Sequence, residues 1–86
     1  MTELYSIRFK SSVKKDLRSI PKQDVLRILN ALEHLAEDPR PINLKPLTGR
    51  DAWRIRLGQY RAIYTINEQE IVIEIIKIAH RKNVYR

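Results

Sequence analysis

The sequence predicts an α+β fold in the order β-α-α-β-β-β, with a helical hairpin packed on one face of a small, mainly antiparallel, twisted sheet. Three observations predict it. Residues 4–9 and 53–57 alternate apolar and polar side chains with the period of two that marks a half-buried strand. Residues 13–35 carry apolar side chains at helical spacing, interrupted at Pro21. Residues 71–78 are apolar on both faces apart from Glu74 and Lys77, which suits a strand in the interior of a sheet.

The first strand, Leu4 to Phe9, places Tyr5, Ile7 and Phe9 on one face and Ser6 and Arg8 on the other. From Ser11 or Ser12, either a capable N-cap, Val13, Leu17 and Ile20 form the apolar stripe of a short helix whose wet face holds Lys14, Lys15 and Arg18. Pro21 stops this helix and suits the first turn of the next, where Val25, Ile28, Leu29, Leu32 and Leu35 make one stripe. That stripe ends at Asp38-Pro39-Arg40-Pro41. Residues 42–51 contain Pro46 and Gly49 and read as a loop. A strand over 53–57 and a strand from Tyr60 to Asn67 are joined at Gly58-Gln59, where glycine supplies the positive φ of a two-residue turn. A turn at Glu68-Gln69 leads to the last strand, Ile71 to Ile78.

The chain has 86 residues, enough for one domain spanning 1–86, and its 43% hydrophobic content is sufficient for a core. Seventeen Lys and Arg against ten Asp and Glu leave a net charge of +7, so a polyanion is the natural partner. The surplus gathers in residues 1–20, 41–62 and 77–86, whereas 21–40 and 63–76 are net acidic. Without cysteine there are neither disulfides nor thiolate metal sites, and two histidines, His34 and His80, make no His-rich cluster. The first ten residues lack the apolar segment of a signal peptide, and the longest apolar run is too short to span a bilayer. A cytoplasmic protein with no membrane partner is expected.

Folding the hairpin about Gly58-Gln59 sets Arg56 opposite Arg61, Arg54 opposite Ile63 and Trp53 opposite Tyr64. Trp53, Ile55, Leu57, Tyr60, Ala62 and Tyr64 then share the face beneath the helices, and Arg54, Arg56 and Arg61 share the other. Like charges directly opposite destabilise a sheet, so an anion is expected to belong there. Continued through a turn at Glu68-Gln69, this register puts Ile63 opposite Glu74 and Arg61 opposite Ile76. Val72, Glu74, Ile76, Ile78 and His80 follow onto the arginine face, with Glu74 as a candidate ion-pair partner. Arg81, Lys82 and Tyr85 lie in a short tail beside it. Such a surface would hold phosphates and stack a base on Tyr85. Lys14, Lys15, Arg18, Lys45, Arg50, Lys82 and Arg86 complete the candidate nucleic-acid-binding set.

The run from Trp53 to Tyr64, WRIRLGQYRAIY, together with the ending HRKNVYR from His80 to Arg86, resembles the RelE/ParE toxin superfamily and is closest to its RelE branch. The likeness extends to the early DLRSI helix and to the LEHLAEDPRPINLKPLTG passage, and so covers nearly the whole chain. It implies a RelE-like fold and the toxin of a type II toxin–antitoxin pair. By that resemblance the toxin is a ribosome-dependent endoribonuclease that cleaves messenger RNA in the A site of the 70S ribosome, with a RelB-like antitoxin as protein partner. The implied chemistry is attack of the substrate's 2′-hydroxyl on the adjacent phosphate, without a metal or other cofactor. Arg54 and Arg56 match the paired basic positions of the strand, Arg61 the arginine after the hairpin tyrosine, and Arg81 and Tyr85 the terminal arginine and tyrosine. The expected catalytic set is therefore Arg54, Arg56, Arg61, Arg81 and Tyr85, joined by His80 as the candidate for proton transfer. Two alternatives remain at this level: a ParE-like DNA gyrase inhibitor, and a non-catalytic nucleic-acid-binding module.

Overall fold

A computed structural model describes residues 4–42, 44–47, 51–80 and 82. The elements run β1 (Ser6–Phe9), α1 (Ser11–Arg18), α2 (Lys22–Glu33), a 3-10 turn at His34–Ala36, β2 (Lys45–Pro46), β3 (Trp53–Leu57), β4 (Tyr60–Asn67) and β5 (Val72–His80). The strands form one sheet in the order β1-β5-β4-β3-β2, in which β1 is parallel to β5 and the other pairs are antiparallel. The expected α+β architecture is present, with one further strand.

That strand, β2, falls in residues expected to be loop, and pairs Lys45 with Arg54 and Pro46 with Trp53. Proline is tolerated because β2 is the outer strand, where a missing N–H breaks no ladder. The start of α1 also departs from expectation. Lys10, not a serine, is the N-cap, and no side chain caps the helix. Strand pairing sets this boundary: the Lys10 N–H donates to the Ile75 carbonyl at 2.9 Å, and the Lys10 carbonyl accepts from the Val13 N–H at 2.9 Å. Pro21 is the N-cap of α2, and its carbonyl accepts from the Asp24 and Val25 N–H groups at 2.9 and 3.0 Å.

The helices cover one face of the sheet. Val13, Ile20, Ile28, Leu32 and Leu35 pack with Ile55, Ala62, Tyr64, Ile73, Ile75 and Ile78, and Tyr5, Ile7, Trp53, Leu57 and Tyr60 close the margin. No polar or charged residue among those described is fully buried. Among the described residues no helix is long and apolar enough to cross a membrane.

Polar groups enter this layer only with a partner. The Tyr64 hydroxyl donates to the Pro39 carbonyl at 2.8 Å, tying the loop after the helices to the central strand. The Tyr60 hydroxyl donates to Asp24 Oδ2 on α2 at 3.1 Å. Asp16 satisfies the backbone of β5. The β1 pairing ends at Phe9 opposite Ile75, and beyond it the Ile78 N–H donates to Asp16 Oδ2 at 3.1 Å.

Two outcomes are expected. Asp16→Ala removes a charged acceptor from a strand N–H and should cost about 1–3 kcal/mol, seen as a lower urea midpoint with an unchanged m-value. Burial, reinforced by Asp38 at Tyr64 and by Asp24 at Tyr60, raises the phenol pKa of both residues above its usual value. The folded chain then holds these protons more tightly than the unfolded chain, so the contribution of these two groups to stability should be constant below about pH 10 and fall as pH rises above it. Equilibrium unfolding followed across that range measures the fall, and Tyr64→Phe should diminish it.

Candidate nucleic-acid interface

The hairpin of β3 and β4 forms in the expected register. Arg56 is opposite Arg61, Arg54 opposite Ile63, and Trp53 opposite Tyr64. Gly58 has φ 65 and, among the described residues, only Ile71 besides it has positive φ, so Gly58 alone takes the left-handed position of this turn. Trp53, Ile55, Leu57, Tyr60, Ala62 and Tyr64 lie with the helices, as read from the alternation. The other face carries the arginines.

The next connection differs from expectation in two ways, with separate consequences. The turn is longer: Asn67 pairs with Val72, leaving 68–71 as the loop. Asn67 Oδ1 accepts from the Gln69 and Glu70 N–H groups at 3.0 and 2.9 Å, and Ile71 takes φ 57, a conformation costly for a β-branched residue. Two extra residues shift the register by two and leave each side chain on its expected face. Further along, Tyr64 pairs with Ile75 but Ile63 pairs with Lys77, so Ile76 is the extra residue of a β-bulge. A shift of one reverses the faces beyond it.

Glu74 therefore remains on the open face but lies opposite Arg8 on β1 and Thr65 on β4, away from the hairpin arginines. Arg61 is opposite Ala79, not Ile76. Ile78 and His80, expected on the arginine face, are on the helix face. Ile78 is in the main core, and His80 is opposite Tyr60, with ring centroids 5.7 Å apart and planes at 78°. His80 lines a cleft of about 370 Å³ with Asp16, Ser19, Ile20 and Tyr60, and its Nδ1 accepts from the Lys82 N–H at 3.3 Å.

The open face holds a depression of about 260 Å³ lined by Lys45, Arg54, Arg56 and Arg61. Pairing across four strands gives one row, Lys45–Arg54–Ile63–Lys77, and a second, Arg56–Arg61–Ala79. Arg54, Arg61 and Lys77 are half-buried, whereas Lys45 and Arg56 are exposed. Between the cations Ala52, Ile63, Leu47, Ile76 and Ala79 form a small apolar cluster. Fixed guanidinium groups over an apolar floor suit a ligand with phosphates and flat bases.

Of the expected site residues, the sheet brings together Arg54, Arg56, Arg61 and Lys45. Lys14, Lys15 and Arg18 are exposed on α1, in the helix layer, so the sheet separates them from the arginines. Arg50, Arg81, Tyr85 and Arg86 lie outside the described residues. The sequence did not place Lys77 on this face, because its side depends on the bulge and no glycine or turn residue marks that bulge.

Fold and face together define a small α+β protein whose sheet is covered by helices on one side and cationic on the other. Residues 7–85 match the profile of the ParE toxin of type II toxin–antitoxin systems. Toxin RelG of Mycobacterium tuberculosis is 28% identical over 85 residues, covering 95% of this chain and 97% of that protein. Among solved structures, the archaeal RelE–RelB complex from Pyrococcus horikoshii contains a chain that superposes with a TM-score of 0.80 at 34% identity, covering 98% of this chain and all, 100%, of that one. The M. tuberculosis RelBE2 toxin–antitoxin complex gives a TM-score of 0.81 at 26% identity, covering 91% of this chain and 99% of that one. The chain belongs to the RelE/ParE toxin superfamily, on its RelE-like branch, and is a toxin of the type II toxin–antitoxin class.

Arg56 and Arg61 oppose each other directly. Arg56→Gln should therefore raise stability by some tenths to about 1 kcal/mol, measured as an increased urea midpoint, and the gain should shrink as salt is added.

Proposed function

We propose that this toxin cleaves messenger RNA in the ribosomal A site, by attack of a ribose 2′-hydroxyl on the adjacent phosphate. The observation that carries this reading is the directly opposed pair Arg56 and Arg61 beside Arg54, on the sheet face the helices leave open. In the reaction the 2′-oxygen bonds to phosphorus, the bond to the 5′-oxygen breaks, and a 2′,3′-cyclic phosphate and a 5′-hydroxyl end result. The proton leaves the 2′-hydroxyl and another is delivered to the departing 5′-oxygen. Negative charge builds on the non-bridging oxygens at the transition state, where planar guanidinium groups bind two oxygens at once.

Arg61 and Arg81 clamp the scissile phosphate, Arg54 and Arg56 stabilise the developing charge, and Tyr85 stacks on a base to hold the 2′-hydroxyl in line. His80 is turned toward Tyr60 and the helices, so proton transfer is not assigned to it in this scheme. The natural protein partner is a RelB-like antitoxin, a reading supported by the structural relatives solved as RelB–RelE complexes. The family profile carries the ParE name, which makes inhibition of DNA gyrase the second reading.

Primer extension on a messenger RNA in a purified translation system separates the two. Cuts within codons at the A site are expected only when ribosomes are present, and a gyrase supercoiling assay run in parallel should be unaffected. Arg61→Ala and Arg81→Ala should each slow cleavage by about 100-fold or more, as loss of a transition-state donor does, and Tyr85→Ala should do so while leaving the fold intact. Intact RNA together with arrested gyrase would favour the second reading.

A further inference from the structure

The bulge that turns His80 away brings Lys77 in. Lys77 pairs with Ile63, and Ile63 pairs with Arg54, so Lys77 and Arg54 occupy one row across β5, β4 and β3. Two strand spacings separate them, about 10 Å. Arg61 pairs with Ala79, two residues from Lys77, which makes Arg61 and Lys77 diagonal neighbours on the same face, with side-chain origins about 7–8 Å apart. Both side chains are long enough to close most of that gap.

Lys77 is half-buried, and among the described residues its side chain has neither an ion-pair nor a hydrogen-bond partner. The acid on its own strand, Glu74, is opposite Arg8 and Thr65 instead. The residues beside it on this face, Ile63, Ile76 and Ala79, form an apolar cluster that an aliphatic side chain would extend at no electrostatic cost. A half-buried cation next to the hairpin arginines is a poor choice for packing and a good one for binding an anion.

We propose that Lys77 is a phosphate-binding residue for single-stranded RNA, holding the phosphate next to the one at Arg61. The strand then crosses the open face along the row from Lys45 and Arg54 on β2 and β3 to Lys77 on β5, with Arg61 on β4 flanking it. This rests on the RNA reading of the face, and deepens it by fixing the direction of the strand across the sheet. Lys77 acts in binding and orientation and takes no part in bond making.

The test is the salt dependence of binding to a fluorescein-labelled RNA oligonucleotide, 2′-O-methylated so that it cannot be cleaved, followed by anisotropy between about 50 and 200 mM KCl. Each phosphate contact on single-stranded nucleic acid contributes about 0.7 to the slope of log K against log salt. Lys77→Met should weaken binding and lower the slope by about that amount, Lys77→Arg should retain it, and Lys22→Met, on the helix layer, should change neither. Thermal unfolding of Lys77→Met should be unchanged or shifted upward. Arg61→Ala is measured alongside. If Arg61→Ala weakens binding and Lys77→Met leaves affinity and slope untouched, the Lys77 inference is overturned while the RNA face stands. If neither variant alters binding, the face itself is not the RNA site and both readings fall.

Discussion

The pairing of β4 with β5 is the constraint on which the rest of the molecule depends. It supplies Tyr64, Ile73, Ile75 and Ile78 to the layer beneath the helices, and it connects parallel β1 to the antiparallel remainder of the sheet. Because successive side chains of a strand point to opposite faces, covering one face with α1 and α2 leaves the other to the alternate residues of the same strands. Those residues include Arg54, Arg56 and Arg61. The helix layer and the cationic face are thus two results of one register, and the bulge at Ile76 redistributes β5 between them.

The sheet also keeps opposite charges apart. Asp16 and Asp24 are on the helix side, where one accepts from the Ile78 N–H and the other from the Tyr60 hydroxyl. Glu68 is engaged by Arg40 at 2.6 Å, and Glu74 faces Arg8 in the register of β1. Arg56 and Arg61, directly opposed on the open face, set like charges side by side at some cost to stability. Arginine rather than lysine at three of its positions suits a phosphate that must be gripped at two oxygens and held flat.

Family membership and site chemistry meet at this face. Under the proposed RNA-cleaving function, the guanidinium groups on the sheet of this RelE-like toxin are the side chains that would stabilise a charged phosphorane. Lys77 extends that surface onto β5. The cationic area thereby becomes a path across four strands, long enough for consecutive phosphates and not only for one.

Local pattern determined much of this in the sequence. Period-two alternation marked β1 and β3, the spacing of Val13 to Leu35 marked both helices, and Gly58 marked the hairpin that adds β4 and whose register gathers the arginines. Each of these signals is contained within a few residues, because strand alternation, helical stripes and a positive φ are local properties of the chain. What the sequence alone did not decide was long-range. The α1 boundary is set by the Lys10 bond to Ile75, and β2 forms only because β3 offers an edge. The faces of Lys77 and His80 turn on a single inserted residue in an isoleucine-rich strand, where Ile75, Ile76 and Ile78 are each apolar enough to occupy either side. Tertiary structure made that choice, because only the packing of Ile75 and Ile78 together beneath the helices forces Ile76 out of the ladder and carries Lys77 to the arginines.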